Sequence, residues 1–391
     1  MAIEIAIDEL GIGNDKVAYV KLPANRNEVI DAMDREKIFG ETFLRITECD
    51  EVPELEGYEF SEEPTLDELN FLAKRLEEIS EEKTQIIAYQ ALLKRGFGTI
   101  NEAINRTYNL ETIPVYPCIN AYSYGEIVLE NEMLEGLCDV PDEIYELLDP
   151  DKVGRAMVEK ENGIFIDKYY AIANSYEPVL EYDEQLPERM EDWIFRLEVA
   201  GVPERAEDFH KMKTETLTLP ADEQYMQDIA EALGERNIDE CVSMKFESMI
   251  PHINNGTWNM EEIYLLNDIA REYSEMSRED AAKFKAVLRK EQPDDLDGVR
   301  NVLNSLDQYE VDISINNYSE YGSKYLSKML PPDFDRTLLK GACTAEFAQK
   351  LMCANNCTFN EYGVVSERGG HLYTMIETAD REELQSPELS L

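Results

Sequence analysis

The sequence is poor in positive charge, in histidine and in long apolar runs, and each shortage excludes something. Lys and Arg number 37 against 83 Asp and Glu, a formal net charge of -46 over 391 residues. Such a chain repels nucleic acid and anionic membranes at any separation beyond contact, so no direct nucleic-acid binding and no membrane partner are expected. No apolar run approaches the ~18 residues of a membrane span. Met1-Ala2-Ile3-Glu4-Ile5 lacks the basic region of a secretory leader, and a cytoplasmic protein is expected. The three histidines, His210, His252 and His371, show no metal or triad spacing. Cys49, Cys118, Cys138, Cys241, Cys343, Cys353 and Cys357 are odd in number and irregular in spacing, which reads as reduced thiols rather than a disulfide framework. Cys353 and Cys357 stand at ordinary helix spacing and the paired spacings of a zinc site are missing, so no metal is expected.

What is present suffices to fold. Hydrophobic residues make up 43% of the chain, enough for real cores. The charge does not sit in one tail: residues 1–190 carry a net -26 and residues 191–391 a net -20. That is a folded protein with a charged skin. Between Arg106 and Lys152 there is no Lys or Arg at all, while the stretch holds Glu111, Glu126, Glu130, Glu132, Glu135, Asp139, Asp142, Glu143, Glu146, Asp149 and Asp151. These eleven carboxylates are the candidate partner-binding surface.

The chain also repeats itself. Lys21-Leu22-Pro23-Ala24-Asn25 recurs 197 positions later as Thr218-Leu219-Pro220-Ala221-Asp222. The same displacement sets Asp31 on Asp228, Leu69-Asn70 on Leu266-Asn267, Ser80 on Ser277 and Tyr124-Gly125 on Tyr321-Gly322. After a two-residue slip, Tyr89-Gln90-Ala91-Leu92-Leu93-Lys94 faces Phe284-Lys285-Ala286-Val287-Leu288-Arg289. One register kept over this length implies a tandem duplication of a domain-sized unit. Unit 1 is expected over 1–176 and unit 2 over 192–377, with a carboxylate-rich linker at 177–191 and a flexible tail at 378–391.

Within a unit the pattern is α+β. Alternating Ile3, Ile5 and Ile7, then Val17 to Val20, predict a hairpin turning at Gly11-Ile12-Gly13-Asn14. A helix capped by Asn25 follows, then a strand at 42–49, and together they make a small α+β piece over 1–62. Helices are predicted at 66–79, 81–94 and 99–108, filling a helical piece over 63–112. Thr65 and Ser80 both read as helix caps. A third α+β piece, 113–176, carries strands at 113–118 and 164–170.

Enzyme signatures do not survive inspection, and the chain is read as a non-enzyme needing no cofactor. Gly11-x-Gly13 lies in a hairpin turn with no phosphate-binding helix after it. Asp294-Asp295-Leu296-Asp297-Gly298 resembles a calcium loop, but lacks the twelfth-position Glu and reads as a helix cap. The carboxylates remain. B-DNA carries one charge per ~1.7 Å, so the net charge matches roughly 23 base pairs. Carboxylates at i and i+4 on a helix stand ~6 Å apart, near the phosphate spacing of a strand. Glu126, Glu130 and Glu135 lie near that period, as do Asp142, Glu146 and Asp149.

Three segments resemble one family. Val17-Ala18-Tyr19-Val20-Lys21-Leu22-Pro23-Ala24, then Leu66-Asp67-Glu68-Leu69-Asn70-Phe71-Leu72-Ala73-Lys74-Arg75-Leu76-Glu77, are similar to the ArdA antirestriction proteins. So is Val140-Pro141-Asp142-Glu143 through Leu148-Asp149-Pro150-Asp151-Lys152-Val153-Gly154-Arg155. Unit 2 keeps the Leu-Pro-Ala start and the helical middle, and the counterpart of the third segment is expected near Leu330-Pro331-Pro332-Asp333. The resemblance implies two tandem units of three small subdomains each, an elongated acidic body, and mimicry of B-form DNA. It implies as partners the DNA-binding subunits of a restriction-modification enzyme or other defence nuclease, blocked on behalf of a mobile genetic element. It also implies pairing, as a homodimer or as an intramolecular pseudo-dimer. Composition alone leaves an alternative open, an acidic binding module for histone-like or other basic DNA-binding proteins.

Overall fold

The structure, a computed structural model, describes residues 2–10, 16–134, 147–174, 176–178, 180–182, 186–202, 212–315, 317–331, 335, 344–354 and 356–368. Over these the chain is mixed α+β, with helices set among four three-stranded antiparallel sheets. One unit consists of Met1–Asn25 and Gly40–Glu191, the other of Arg26–Phe39 and Asp192–Leu391. No helix among the described residues is long and apolar enough to cross a membrane. The turn expected at 11–14 and the tail expected at 378–391 lie outside the described residues.

In unit 1, β1 (Ile3–Glu9), β2 (Val17–Leu22) and β3 (Thr42–Cys49) pair in the order β2-β1-β3. On β2, Ala18, Val20 and Leu22 are buried while Tyr19 and Lys21 are exposed, the alternation of a half-buried strand. The helix α2 (Leu66–Ser80) starts at a Thr65–Glu68 capping box, as the spacing predicts, and buries Leu69, Leu72, Ala73 and Leu76. The next, α3 (Lys83–Leu93), is buried at every position from Ile86 to Leu93, so it is the central rod rather than an amphipathic face. Ser80 does not cap it; its hydroxyl donates to the Glu77 carbonyl at 2.7 Å, and the cap position falls to Glu82 without a side-chain bond. The helical piece ends with α4 (Ile100–Asn105).

The third piece of unit 1 holds β4 (Val115–Tyr116), β5 (Ile164–Ile166) and β6 (Tyr169–Ala171) in the order β4-β6-β5. The single strand expected over 164–170 is instead a hairpin, turning at Asp167 with φ 51° and pairing Ile166 with Tyr169. Short apolar runs do not reveal a turn whose left-handed residue is an Asp. Against this sheet lie α5 (Ala121–Glu130) and α6 (Pro150–Glu161). The described part of the linker is held against unit 1. Tyr182 exchanges hydrogen bonds of 2.9 Å with the Asn105 side chain, and its hydroxyl donates to Glu68 at 2.8 Å.

Unit 2 shows a matching sheet, with β7 (Phe195–Ala200), β8 (Thr214–Leu219) and β9 (Val242–Ser248) in the order β8-β7-β9. The central strand of each sheet carries a register shift against its third strand, at Glu4/Ile5 and at Glu198/Val199. The Asn70 side chain accepts from the Ala24 amide at 2.8 Å, and Asn267 accepts from Ala221 at 2.8 Å. There follow α7 (Glu223–Leu233), α8 (Ile263–Ser274), α9 (Arg278–Glu291) and α10 (Leu296–Asn304). Ser277 does cap α9, accepting from the Asp280 amide. Asp295 caps α10, accepting from the Gly298 amide at 2.8 Å, which gives the run 294–298 its role. The last sheet, β10 (Tyr309–Asp312), β11 (Thr358–Asn360) and β12 (Gly363–Glu367), has the order β10-β12-β11 and packs with α11 (Tyr318–Met329) and α12 (Thr344–Ala354).

One segment does not follow the expected boundaries. Residues 26–39, read from the sequence as part of the first piece, pack with unit 2. The segment's helix, α1 (Arg26–Arg35), brings Asp31 and Asp34 to the Lys285 ammonium of α9 at 2.8 and 2.7 Å. Lys285 is 0% exposed and Asp34 1%. Arg278 adds a second cation on Asp34 at 3.0 Å, and the Tyr362 hydroxyl donates to Asp31 at 2.8 Å. Burial would lower the Lys285 pKa, but Tyr273, Asp34 and Asp31 outweigh it and hold the ammonium above its ordinary value.

Removing one partner of a buried ion cluster leaves an uncompensated charge. Lys285→Met should therefore cost about 3–5 kcal/mol of stability in urea unfolding. The counterpart in unit 1 is Gln90, buried, donating to the Glu51 carbonyl at 2.5 Å with its Oε1 unpartnered. Gln90→Met should cost only about 1 kcal/mol. Because the Lys285 pKa is raised, its contribution should persist at every pH below ~10.4 and fade only as pH climbs through the higher folded value.

Candidate functional site

Two helices whose backbones touch, α5 and α6, carry Glu126, Glu130 and Asp151 of the acidic stretch. Asn120 and Ser123 form a capping box at the start of α5, and Asp149 caps α6 by accepting from the Asp151 amide at 3.0 Å, with Pro150 in the first turn. A Cβ built on Gly125 would lie 1.9 Å from the Pro150 carbonyl oxygen, and one on Gly154 would lie 1.7 Å from that of Ala121. Only glycine at both positions permits this crossing. Beneath it the Tyr124 ring is fully buried beside Tyr116 and Tyr170, and its hydroxyl donates to Glu161 at 2.8 Å.

Of the eleven candidate carboxylates, six are described and Glu135, Asp139, Asp142, Glu143 and Glu146 lie outside the described residues. Glu126 and Glu130 sit one turn apart on α5, as the helical spacing predicts. Glu111 is exposed in a short 3-10 turn at Leu110–Thr112. Asp149, read from the sequence as part of a helical series with Asp142 and Glu146, is a helix cap, and its 3.9 Å approach to Lys152 is loose. Asp151 pairs with Arg155 at 2.9 Å across one turn. Among the described residues no Lys or Arg pairs with Glu111, Glu126, Glu130 or Glu132.

Glu132 is placed at a cost. It follows the C-cap of α5 with φ 53°, and the Met133 amide closes back on the Val128 carbonyl at 2.9 Å. This is the position at which helices ordinarily place glycine. A carboxylate held there, unpaired and exposed, is a choice that stability alone does not explain.

Sequence reasoning missed the apolar side chains set among these acids. Ile119 is 62% exposed, Tyr122 48% and Leu147 81%. The Tyr122 hydroxyl bonds Glu126 and feels Asp149, which raises its pKa. None of the three belongs to a helical stripe, so no periodicity marks them. Among the described residues unit 2 does not repeat the acidic pair of α5. Its helices α11 and α12 also cross in contact, with a Cβ on Gly322 falling 2.0 Å from the Thr344 carbonyl oxygen and Ala348 at 3.3 Å. The partner of this crossing is α12, on which Ala348 stands where Gly154 does in unit 1. Counting from Gly125 and Gly322, Ser323 and Ser327 stand where Glu126 and Glu130 do.

The other candidate chemistry is quiet. Cys49, Cys118 and Cys241 are buried, and desolvation pushes their pKa values to about 12, 11 and 11, so they stay protonated thiols. Cys353 and Cys357 do not share a helix, because α12 ends at Ala354. His252 lies 3.1 Å from Arg289, and burial together with that cation lowers its pKa. Cys138, Cys343, His210 and His371 are outside the described residues, and among those described no group of three or more His, Cys, Asp or Glu could hold a metal ion. Compared with models of protein families and with curated proteins, the chain matches none.

Two outcomes follow from this geometry. Gly154→Ala should cost about 3 kcal/mol or more, the upper end of overpacking, read as a lowered urea midpoint. Glu132→Gly should raise stability by about 1 kcal/mol while removing one acid from the face.

Proposed function

We propose that this protein is a non-enzymatic DNA mimic of the antirestriction kind, acting in the cytoplasm. Its acidic face occupies the cationic DNA-binding groove of a restriction-modification enzyme or similar defence nuclease. The reading rests on one observation above others: Glu111, Glu126, Glu130 and Glu132 carry no cation among the described residues, in a chain that gives its buried Asp34 two. Like charges at i and i+4 destabilise a helix by ~0.2–0.5 kcal/mol. Keeping Glu126 and Glu130 at that spacing, and Glu132 in a left-handed cap, favours an external partner. The exposed Ile119, Tyr122 and Leu147 would add apolar contact to a surface otherwise held by charge.

The resemblance of three segments to ArdA proteins supports the same reading, and the matching sheets, Asn–Ala bonds and helix crossings support a tandem duplication. In that reading the second copy has given up the acidic face, so the two copies are not interchangeable mimics.

A mimic of this kind acts through many weak contacts. Exchanging Glu111, Glu126, Glu130 and Glu132 together for Gln should weaken partner binding by about 2 kcal/mol, some thirtyfold, at about half a kcal/mol each. Each single exchange should weaken it only two- to threefold, and the log affinity of the quadruple variant should depend less steeply on log salt. A short DNA duplex should displace the protein from a type I restriction enzyme in the same titration. One carboxylate that abolishes inhibition while its neighbours are silent would overturn the reading. Tight capture of a histone-like protein, with no effect on any restriction enzyme, would replace it with that of a general acidic module.

A further inference from the structure

The third piece of each unit has the same plan, so sheet register and helix position define counterparts. Val115 pairs with Ala171 in unit 1 as Val311 pairs with Val365 in unit 2. On that register Tyr116 matches Asp312, Ile172 matches Ser366 and Asn174 matches Arg368. On the helices Ile127 matches Lys324 and Ala88 matches Lys283. In unit 1 four of these positions are packed: Ala88 is fully buried, and Tyr116, Ile127 and Ile172 close over the Cys118, Tyr124 and Tyr170 core, while Asn174 is exposed. In unit 2 they line a cavity of about 480 Å3. An apolar seam in one copy is a polar, cation-bearing hollow in the other.

Lys283, Lys324 and Arg368 meet in the lining of that hollow. Lys324 is paired with Asp312, whose carboxyl would be raised by burial but is held below its ordinary value by Lys324 and Ser314. Lys283, half-buried on α9, makes no hydrogen bond or ion pair with any described residue, and neither does the Arg368 guanidinium. The neighbouring cations on α9 are all engaged: Lys285 with Asp31 and Asp34, Arg289 with Glu361, Lys290 with Glu291. Lys283 is half-buried and Arg368 exposed, and both line one cavity without a carboxylate partner among the described residues. A half-buried ammonium without a counter-charge lowers stability unless something binds it. Glu310, at the exposed edge, leaves three cations against two acids in the lining. The Ser314 hydroxyl is committed to Asp312 and the Ser366 hydroxyl to the Glu310 carbonyl, and the Tyr309 ring supplies an aromatic wall.

We propose that this cavity of unit 2 binds a small phosphorylated molecule of mononucleotide size, its phosphate held between Lys283 and Arg368. The volume falls in the range of small-ligand sites, roughly 300–1,000 Å3. Charge-assisted bonds from two cations would orient a phosphate as neutral donors do not. The proposal does not depend on what the acidic face of unit 1 binds.

Calorimetric titration of the full chain with AMP, inorganic phosphate and adenosine tests this. AMP should bind saturably at one site, phosphate more weakly, and uncharged adenosine not at all. Lys283→Ala with Arg368→Asn installs the residues that unit 1 carries at these positions and should weaken AMP binding more than about tenfold. Absence of saturable binding by both anions, or equal binding by the variant, would overturn the proposal. Should the variant fail to fold, acylation of lysines in the native chain decides: AMP should protect Lys283, and unchanged labelling of Lys283 would count equally against the site.

Discussion

Electrostatic self-repulsion is the constraint under which this fold is built. With more than twice as many acids as bases, the chain cannot pair every carboxylate, so where the few cations stand decides the structure. Asp34, buried beyond reach of water, takes both Lys285 and Arg278. Such a cluster gains specificity more than net stability, because desolvation consumes most of the attraction. It does, however, give α1 one seat on α9, while Glu126 and Glu130 of α5 carry no cation among the described residues. The face is acidic partly because the cations are elsewhere.

The same plan is used twice with different results. Both third pieces cross two helices in backbone contact, at Gly125 and Gly154 in one and at Gly322 and Ala348 in the other. The crossing is a packing solution that any surface can be laid over. In unit 1 the outer positions are carboxylates; in unit 2 the same turns carry Ser323 and Ser327, while the inner seam has become a cation-lined cavity. A scaffold conserved in geometry while its surface and seam diverge is the pattern expected where function resides in sites rather than in the fold.

Much of the architecture was legible because it is local. The capping box at Thr65, the alternation on β2, the strand at 42–49 and the cap at Asp295 are decided by neighbours a few residues away. Ser80 and Ser277 show the limit of such reasoning: they align, yet only Ser277 caps, because Ser80 is drawn into the last turn of α2. The hairpin at Asp167 escaped for a similar reason, since a left-handed Asp looks like any other polar residue in a short apolar run.

The sequence by itself determined the charge and the mixed α+β class, because composition is additive and periodicity is read within a turn or a pleat. Tertiary structure alone decided which charges lose their water and which find partners. Asp31 and Lys285 are separated by 254 positions, and nothing in either neighbourhood announces the other. The glycine crossing, the open seam around Lys283 and Arg368, and the unpaired state of Glu126 and Glu130 are likewise properties of surfaces brought together by folding. Coulomb energy and packing depend on distance in space, and a sequence records only distance along the chain.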